Sequence, residues 1–367
     1  MIPIEFRMDQ DEQYEYIDKV LSCLSDNEKK KCCKAIKKLL KQIPFKGEMG
    51  LLKKALKNSM RNYYNVSHSK WTALSMWIVL PYEDLLKIKE WIEKKVQVEI
   101  ESLNAGISCK GIRIHKIKSY HDLLGRRQKT YKDSTIAKYV AQGLWYDTVY
   151  ESFKQFIEIY NKRFSTEGIS CWIVEKTGMK VCPYCNIMYT YNRGKKVTAQ
   201  LDHFFPKSEY PMFALCFYNL IPSCPACNHL KLDGVEKLVS PYSEDAFKDW
   251  KITWEYDGNL KKKSLKSLED MIKIKIQPSK EDEDKKNICK LKLEEAYQQH
   301  VDYASEILKK LQIYTNSDAK KLICSVSAKI GITPDEVERF YFGNYLEESE
   351  LKKRPLSKLT KDFYEKY

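Results

Sequence analysis

The chain has 367 residues, with 64 Lys and Arg against 50 Asp and Glu and a formal net charge of +14. That length can bury a sizeable core and is expected to divide into two or three domains. The longest apolar run, Ala73 to Leu80, is far short of the roughly 20 residues that a membrane-crossing helix needs, which excludes a membrane-spanning class.

The first residues carry Glu5, Asp9, Asp11 and Glu12 and lack the basic and apolar segments of an export signal, so a cytoplasmic protein is expected. Residues 1 to 165 hold 31 basic side chains against 20 acidic ones, and the segment from Lys29 to Arg61 alone has twelve against the single Glu48. A second basic segment, 110 to 132, interleaves Tyr120 and Tyr131 among eight cations and one acid. Either segment could lie along a nucleic-acid backbone, form a solvated face, or dock an acidic protein. Next, Ile136, Tyr139, Val140, Leu144, Val149, Phe153, Phe156, Ile157 and Tyr160 recur at three- and four-residue steps. They follow the capping candidates Asp133 and Ser134, which predicts one long amphipathic helix.

Between 166 and 245 the charge balances at eight against eight and the pattern changes. Two short strands are expected, Ile187 to Tyr191 and Lys196 to Leu201, joined by Asn192, Arg193 and Gly194. A loop with Pro206 and Pro211 should follow, then a short helix from about Ala226. Beyond 246, the β-rich run Trp250 to Tyr256 before Asp257 and Gly258 predicts a hairpin, and 278 to 287 an exposed linker. Leu291, Tyr297, Val301, Ala304, Ile307, Leu308 and Leu311 predict a helix, and Thr333, Pro334 and Glu336 a capped helix start.

Four of the twelve cysteines form two Cys-x-x-Cys pairs, Cys182/Cys185 and Cys224/Cys227, 38 residues apart. In a reducing compartment such pairs favour metal over cystine. Four thiolates make a closed structural zinc site, which would compensate for the small core between them. Four independent buried thiols, or a redox pair, are the other readings; pairs that bracket a His-bearing segment fit zinc better.

Inside the bracket run Leu201, Asp202, His203, Phe204, Phe205, Pro206, Lys207 and Ser208, then Asn219 to Ser223, then Cys224 to Lys231. Over about 50 residues, Cys182 to Lys231, this resembles the HNH endonuclease family. There an Asp-His pair ending a strand, a loop Asn-Leu and a Cys-x-x-Cys-Asn turn build a ββα-metal finger. The resemblance implies Asp202 and Asn228 as ligands of a catalytic Mg²⁺ or Mn²⁺, His203 as general base, and Asn219 as the residue that orients His203. Imidazole suits base chemistry near neutral pH, and a carboxylate with an amide oxygen is a hard donor set suited to Mg²⁺. Asp202 and His203 converge only if the strand ends there and the chain turns, since neighbours in a strand face opposite ways. Asn219 could instead only fix a loop, Asn228 also fits a helix cap, His229 stays an alternative ligand, and Lys207 and Lys231 could contact phosphate or simply be solvated.

The stretch Arg354 to Asp362 is similar to the tail of HNH nucleases of Septu-type anti-phage defence systems. That likeness implies an ATPase partner subunit. The expected protein is therefore mainly α, with a zinc-stapled HNH unit at 166–245 inserted between a helical basic region at 1–165 and a mostly helical region at 246–367. Its expected substrate is nucleic acid, DNA before RNA; a zinc-ribbon module that binds nucleic acid or protein without cleaving is the competing reading.

Overall fold

The computed structural model describes residues 2–44, 47–62, 71–109, 145–232, 238–243, 250–256, 264–278 and 283–367. The fold is mainly helical, with three two-stranded sheets among the described residues. The chain forms two compact units: one holds Arg7–Ile169 and His203–Leu220, the other Met1–Phe6, Ser170–Asp202 and Ile221–Tyr367. The segment 166–245, expected as one domain, contributes to both.

The first unit is built on α1 (Gln10–Ser22), α2 (Asp26–Gln42), α3 (Gly47–Asn62), α4 (Thr72–Ile78), α5 (Tyr82–Cys109) and α6 (Trp145–Arg163). Capping boxes start α1 at Asp9 with Glu12 and α2 at Ser25 with Glu28, so the first orphan N–H groups are satisfied locally. Helix α2 buries Cys32, Ala35, Ile36 and Leu39 and leaves Lys30, Lys31, Lys34, Lys37, Lys38 and Lys41 exposed. The α2 part of the basic segment is thus the outer face of an amphipathic helix. One of its members departs from that pattern: Lys53 is only 2% exposed and donates to the Ile43 carbonyl. The second basic segment, and the first part of the long helix with its caps Asp133 and Ser134, lie outside the described residues.

The expected loop with Pro206 and Pro211 is irregular as expected, but from Tyr210 onward it lies in the core of this unit. Every residue from Tyr210 to Leu220 is buried. Trp77 stacks on Phe153 and on Phe213 and donates from Nε1 to the Met212 carbonyl at 2.7 Å. Tyr16 donates to the Leu215 carbonyl at 2.9 Å, and the Met8 N–H reaches the Tyr218 hydroxyl at 2.8 Å. The segment escapes a periodicity reading because it has no regular period. Two 3-10 turns, Pro211–Phe213 and Phe217–Asn219, place nearly all its apolar side chains inward.

The second unit carries α7 (Ile169–Thr177), β1 (Asn192–Arg193), β2 (Lys196–Val197), β3 (Gln200–His203), β4 (Leu220–Ser223) and α8 (Pro225–Leu232). The hairpin β1–β2 turns at Gly194 and Lys195, with Gly194 at φ 58°, later than the expected Asn192 to Gly194 turn. Residues 187–191 form a bridge back to Val181 instead of a strand of that hairpin. Paired strands β3 and β4 carry the chain out of this unit and return it.

Strand β5 (Lys251–Glu255) does form, but its antiparallel partner is β6 (Lys273–Gln277), reached through α9 (Leu265–Met271), rather than a local hairpin arm. The expected linker 278–287 becomes helical from Glu283, the start of α10 (Glu283–Lys290). Lys292 in the left-handed region breaks the predicted helix, which continues as α11 (Leu293–Gln298) and α12 (Val301–Tyr314). Then come α13 (Ser317–Lys329), α14 (Pro334–Phe342), capped by the Thr333/Glu336 box as expected, and α15 (Ser357–Lys366), which packs on β5. No described helix is long and apolar enough to cross a membrane.

Candidate metal centre and the residues around it

Both Cys-x-x-Cys pairs close on one point. The sulfurs of Cys182, Cys185, Cys224 and Cys227 all lie within 4.8 Å of one another, and all four residues are buried. Cys185 and Cys224 are 3.9 Å apart, close to the roughly 3.8 Å that tetrahedral zinc–thiolate bonds of about 2.3 Å would set. Among the described residues no other group of three or more His, Cys, Asp or Glu side chains could share an ion.

Local backbone makes each knuckle. The Cys182 N–H bonds the Met188 carbonyl and the Asn186 N–H the Cys182 carbonyl, both at 2.8 Å, with Asn186 in the left-handed region at φ 54°. Backbone N–H groups of Ile187 and Cys227 point at the sulfurs of Cys185 and Cys224. The second pair sits at the start of α8, where Pro225 needs no N–H partner. Burial raises the Cys182 thiol, whereas S–H donors from neighbouring cysteines draw Cys185 and Cys224 down. Were all four sulfurs ionised in so small a buried volume, a cation would have to balance them, which is why the cluster could hold a metal.

Asp202 is 4% exposed and both its oxygens are engaged. The Tyr184 hydroxyl donates to Oδ2 at 2.6 Å and the Lys231 ammonium sits 3.0 Å from Oδ1. Tyr184 is held protonated by burial and by the Asp202 charge. Two residues back on the same strand face, Gln200 accepts from Asn228 Nδ2 at 2.7 Å. Asn228 and Lys231, three apart on α8, thus meet Gln200 and Asp202, two apart on β3.

Asp202 and Asn228, the two expected cation ligands, thus have separate partners on neighbouring positions of β3 and α8. A hard cation would find the Asn228 carbonyl oxygen and the remaining lone pairs of Asp202, which fit it in kind. It would also meet the Lys231 ammonium, so the donors fit a divalent ion only once Lys231 releases Asp202. His229, the alternative ligand, is exposed on α8.

His203 is 8% exposed. Strand β3 ends at His203, the chain bends at Phe204 and Phe205, and the Phe204 N–H bonds the Asn219 carbonyl. The His203 Nε2 lies 3.1 Å from the Ala214 carbonyl. A carbonyl cannot donate, so in the neutral ring Nε2 carries the proton and Nδ1 is the basic nitrogen. The Tyr160 ring meets the imidazole edge to face, with centroids 4.3 Å apart. Lys207 reaches Asn161 Oδ1 at 2.7 Å and lies over the Tyr160 ring, and burial draws its pKa down.

Asn219, expected either to orient His203 or to fix a loop, makes loop bonds. Its Oδ1 accepts from the Phe205 N–H at 2.7 Å and its Nδ2 donates to the Phe205 and Phe213 carbonyls. It pins the buried 203–220 segment, and the Ala214 carbonyl with Tyr160 sets the ring instead.

Sequence reasoning missed Tyr184, Gln200 and Asn186. Tyr184 carried the one available signal, a polar aromatic inside the first knuckle. Asn186 is fully buried and binds the C-terminal stretch: its Nδ2 donates to the Leu351 carbonyl, its Oδ1 accepts from the Lys358 N–H, and its own carbonyl accepts from the Leu356 N–H. The stretch 354–362 is therefore a clamp on the first knuckle. No family model, curated protein or solved structure matches the chain.

Proposed function

We propose that the chain is a metal-dependent endonuclease of HNH type acting on nucleic acid, with DNA as the expected substrate and zinc in the four-cysteine centre. The observation that carries this reading is the helix that follows the second knuckle: α8 brings Asn228 and Lys231 onto the β3 face bearing Asp202, the residue before His203. A zinc ribbon alone needs neither a buried carboxylate nor a buried imidazole at that strand end.

His203 is the base. Nδ1 takes a proton from water as the water oxygen attacks phosphorus, the P–O bond to the departing sugar oxygen breaks and that oxygen takes a proton from solvent, while the Ala214 carbonyl holds Nε2–H and so fixes the ring. Asp202 and the Asn228 amide oxygen would hold Mg²⁺ or Mn²⁺, which supplies charge stabilisation at the phosphate. The exposed lysines of α2 offer the phosphate neutralisation that the balanced 166–245 segment lacks. An ATPase partner in an anti-phage defence system rests on the likeness of the C-terminal stretch alone.

The second reading, a binding module that does not cleave, is favoured by one fact: Lys231 and Tyr184 already satisfy both oxygens of Asp202. Incubation of the full chain with supercoiled plasmid and linear single strands, with Mn²⁺ or Mg²⁺ and with chelator, separates them. Metal-dependent cutting is expected, and His203→Ala should lower it by about 10²–10⁴-fold with zinc content unchanged and the protein still folded. Undiminished cutting by that variant removes His203 from the mechanism.

A further inference from the structure

The second unit has an open cavity of about 600 Å³ lined by Lys180, Tyr189, Tyr191, Tyr345, Lys353 and Arg354. It is distinct from the residues assigned to cleavage. Every lining residue is a tyrosine or a cation, a composition with faces for stacking and charges for phosphate but with no carboxylate. Its size lies within the roughly 300–1,000 Å³ of small-ligand sites.

The walls are held by backbone. Tyr189 bridges Val181, the Thr190 N–H bonds the Lys180 carbonyl, and the Lys180 N–H bonds the Lys352 carbonyl. Lys180 thus stands just before the first knuckle, and Tyr189 and Tyr191 just after it, on the segment bridged back to Val181. Tyr189 and Tyr191 meet edge to face at 5.2 Å, yet are 50% and 38% exposed. Across from them Tyr345 is flanked by the cations of Arg354 at 5.2 Å, Lys353 at 5.3 Å and Arg339 at 5.7 Å. Lys353 is also paired with Glu350, whereas Arg354 is aimed by one bond to the Gly343 carbonyl, which leaves further N–H groups for a ligand.

We propose that this cavity binds an unpaired nucleotide of a single-stranded segment, its base on the tyrosines and its phosphate on Lys180 and Arg354. A duplex keeps its base faces stacked on one another and cannot offer one to Tyr189, whereas a single strand can. The choice of nucleic acid as ligand rests on the nuclease reading, but binding needs no cleavage and is measured without it.

The test is fluorescence anisotropy of the full zinc-loaded chain, without added Mg²⁺ or Mn²⁺, against a labelled oligothymidylate and a blunt duplex of the same length. Tyr189→Ala and Tyr191→Ala, at exposed positions, are expected to weaken the single strand by about ten-fold each and to leave the duplex unchanged. Tyr189→Phe should bind as the parent does, and Lys180→Glu should flatten the salt dependence for the single strand. Failure of the parent to bind the single strand, alanine variants that bind it undiminished, or equal losses for both ligands would overturn the proposal. If tyrosine-dependent binding holds while no condition yields cutting, the nuclease reading falls and the cavity stands.

Discussion

The Tyr184 hydroxyl donates to Asp202 Oδ2 at 2.6 Å, so a residue inside the first cysteine knuckle directly positions the carboxylate of the Asp-His pair. With the Lys231 ammonium 3.0 Å from the other oxygen, Asp202 is gripped from both knuckles at once, since Lys231 lies on the helix that begins beside Cys224.

Lys231→Met should separate stability from metal binding. Both partners of the ion pair are under 10% exposed, so removing the cation leaves a buried carboxylate supported by Tyr184 alone. A loss of about 3–5 kcal/mol is expected in urea unfolding. The same variant should bind Mn²⁺ more tightly, as titration calorimetry would read. Unchanged Mn²⁺ affinity would show that Lys231 does not compete for Asp202.

Cys224→Ser removes one of four sulfurs within 4.8 Å of each other. Structural zinc contributes about 10–16 kcal/mol in small sites, comparable to the about 5–15 kcal/mol that holds a whole domain folded. The variant is expected to lose most of its zinc in elemental analysis and its cooperative melting transition. A zinc-free variant with the parent's melting temperature would reduce the cluster to ordinary buried thiols.

Asn186→Ala and Asn186→Gly divide backbone from side chain at the C-terminal clamp. Both lose the bonds to Leu351 and Lys358, but only glycine accepts φ 54° without strain. Alanine should cost about 2–4 kcal/mol, and glycine somewhat less, in denaturant unfolding. Equal losses would place the whole contribution in the side-chain bonds.

Glu365 gives a pH signature. Burial opposes its ionisation, but hydrogen bonds from Lys251 and Lys361 outweigh it and bring its pKa down to about 2. A carboxyl depressed in the folded state adds stability above its unfolded value of about 4.5, and that contribution fades as pH falls toward 2. Glu365→Gln should flatten the acid limb of the melting temperature over that window. Because the side chain is 40% exposed, the change is expected to be small and reduced by salt.

Local patterns were legible wherever the physics is local. The cysteine pairs, the Thr333/Glu336 box, the cationic outer face of α2 and the helix after the second knuckle all follow from spacings of two to four residues, which strand and helix geometry translate directly into structure. The strand at 251–255 was legible for the same reason, and its partner at 273–277 was not, because no local rule names a partner about twenty residues away.

By itself the chain determined that it would be mainly helical, that four thiols would recur in two matched knuckles, and that Asp202, His203 and Asn228 would stand between and beside them. Only the tertiary structure decided that the loop is buried from Tyr210 to Leu220, that Asn219 bonds Phe205 and Phe213, and that Lys231 pairs with Asp202. It also decided that the C-terminal stretch closes on Asn186 across 172 residues. Such bonds depend on which groups remain unsatisfied once the helices and strands have packed. That condition belongs to the assembled chain, and no short stretch of sequence carries it.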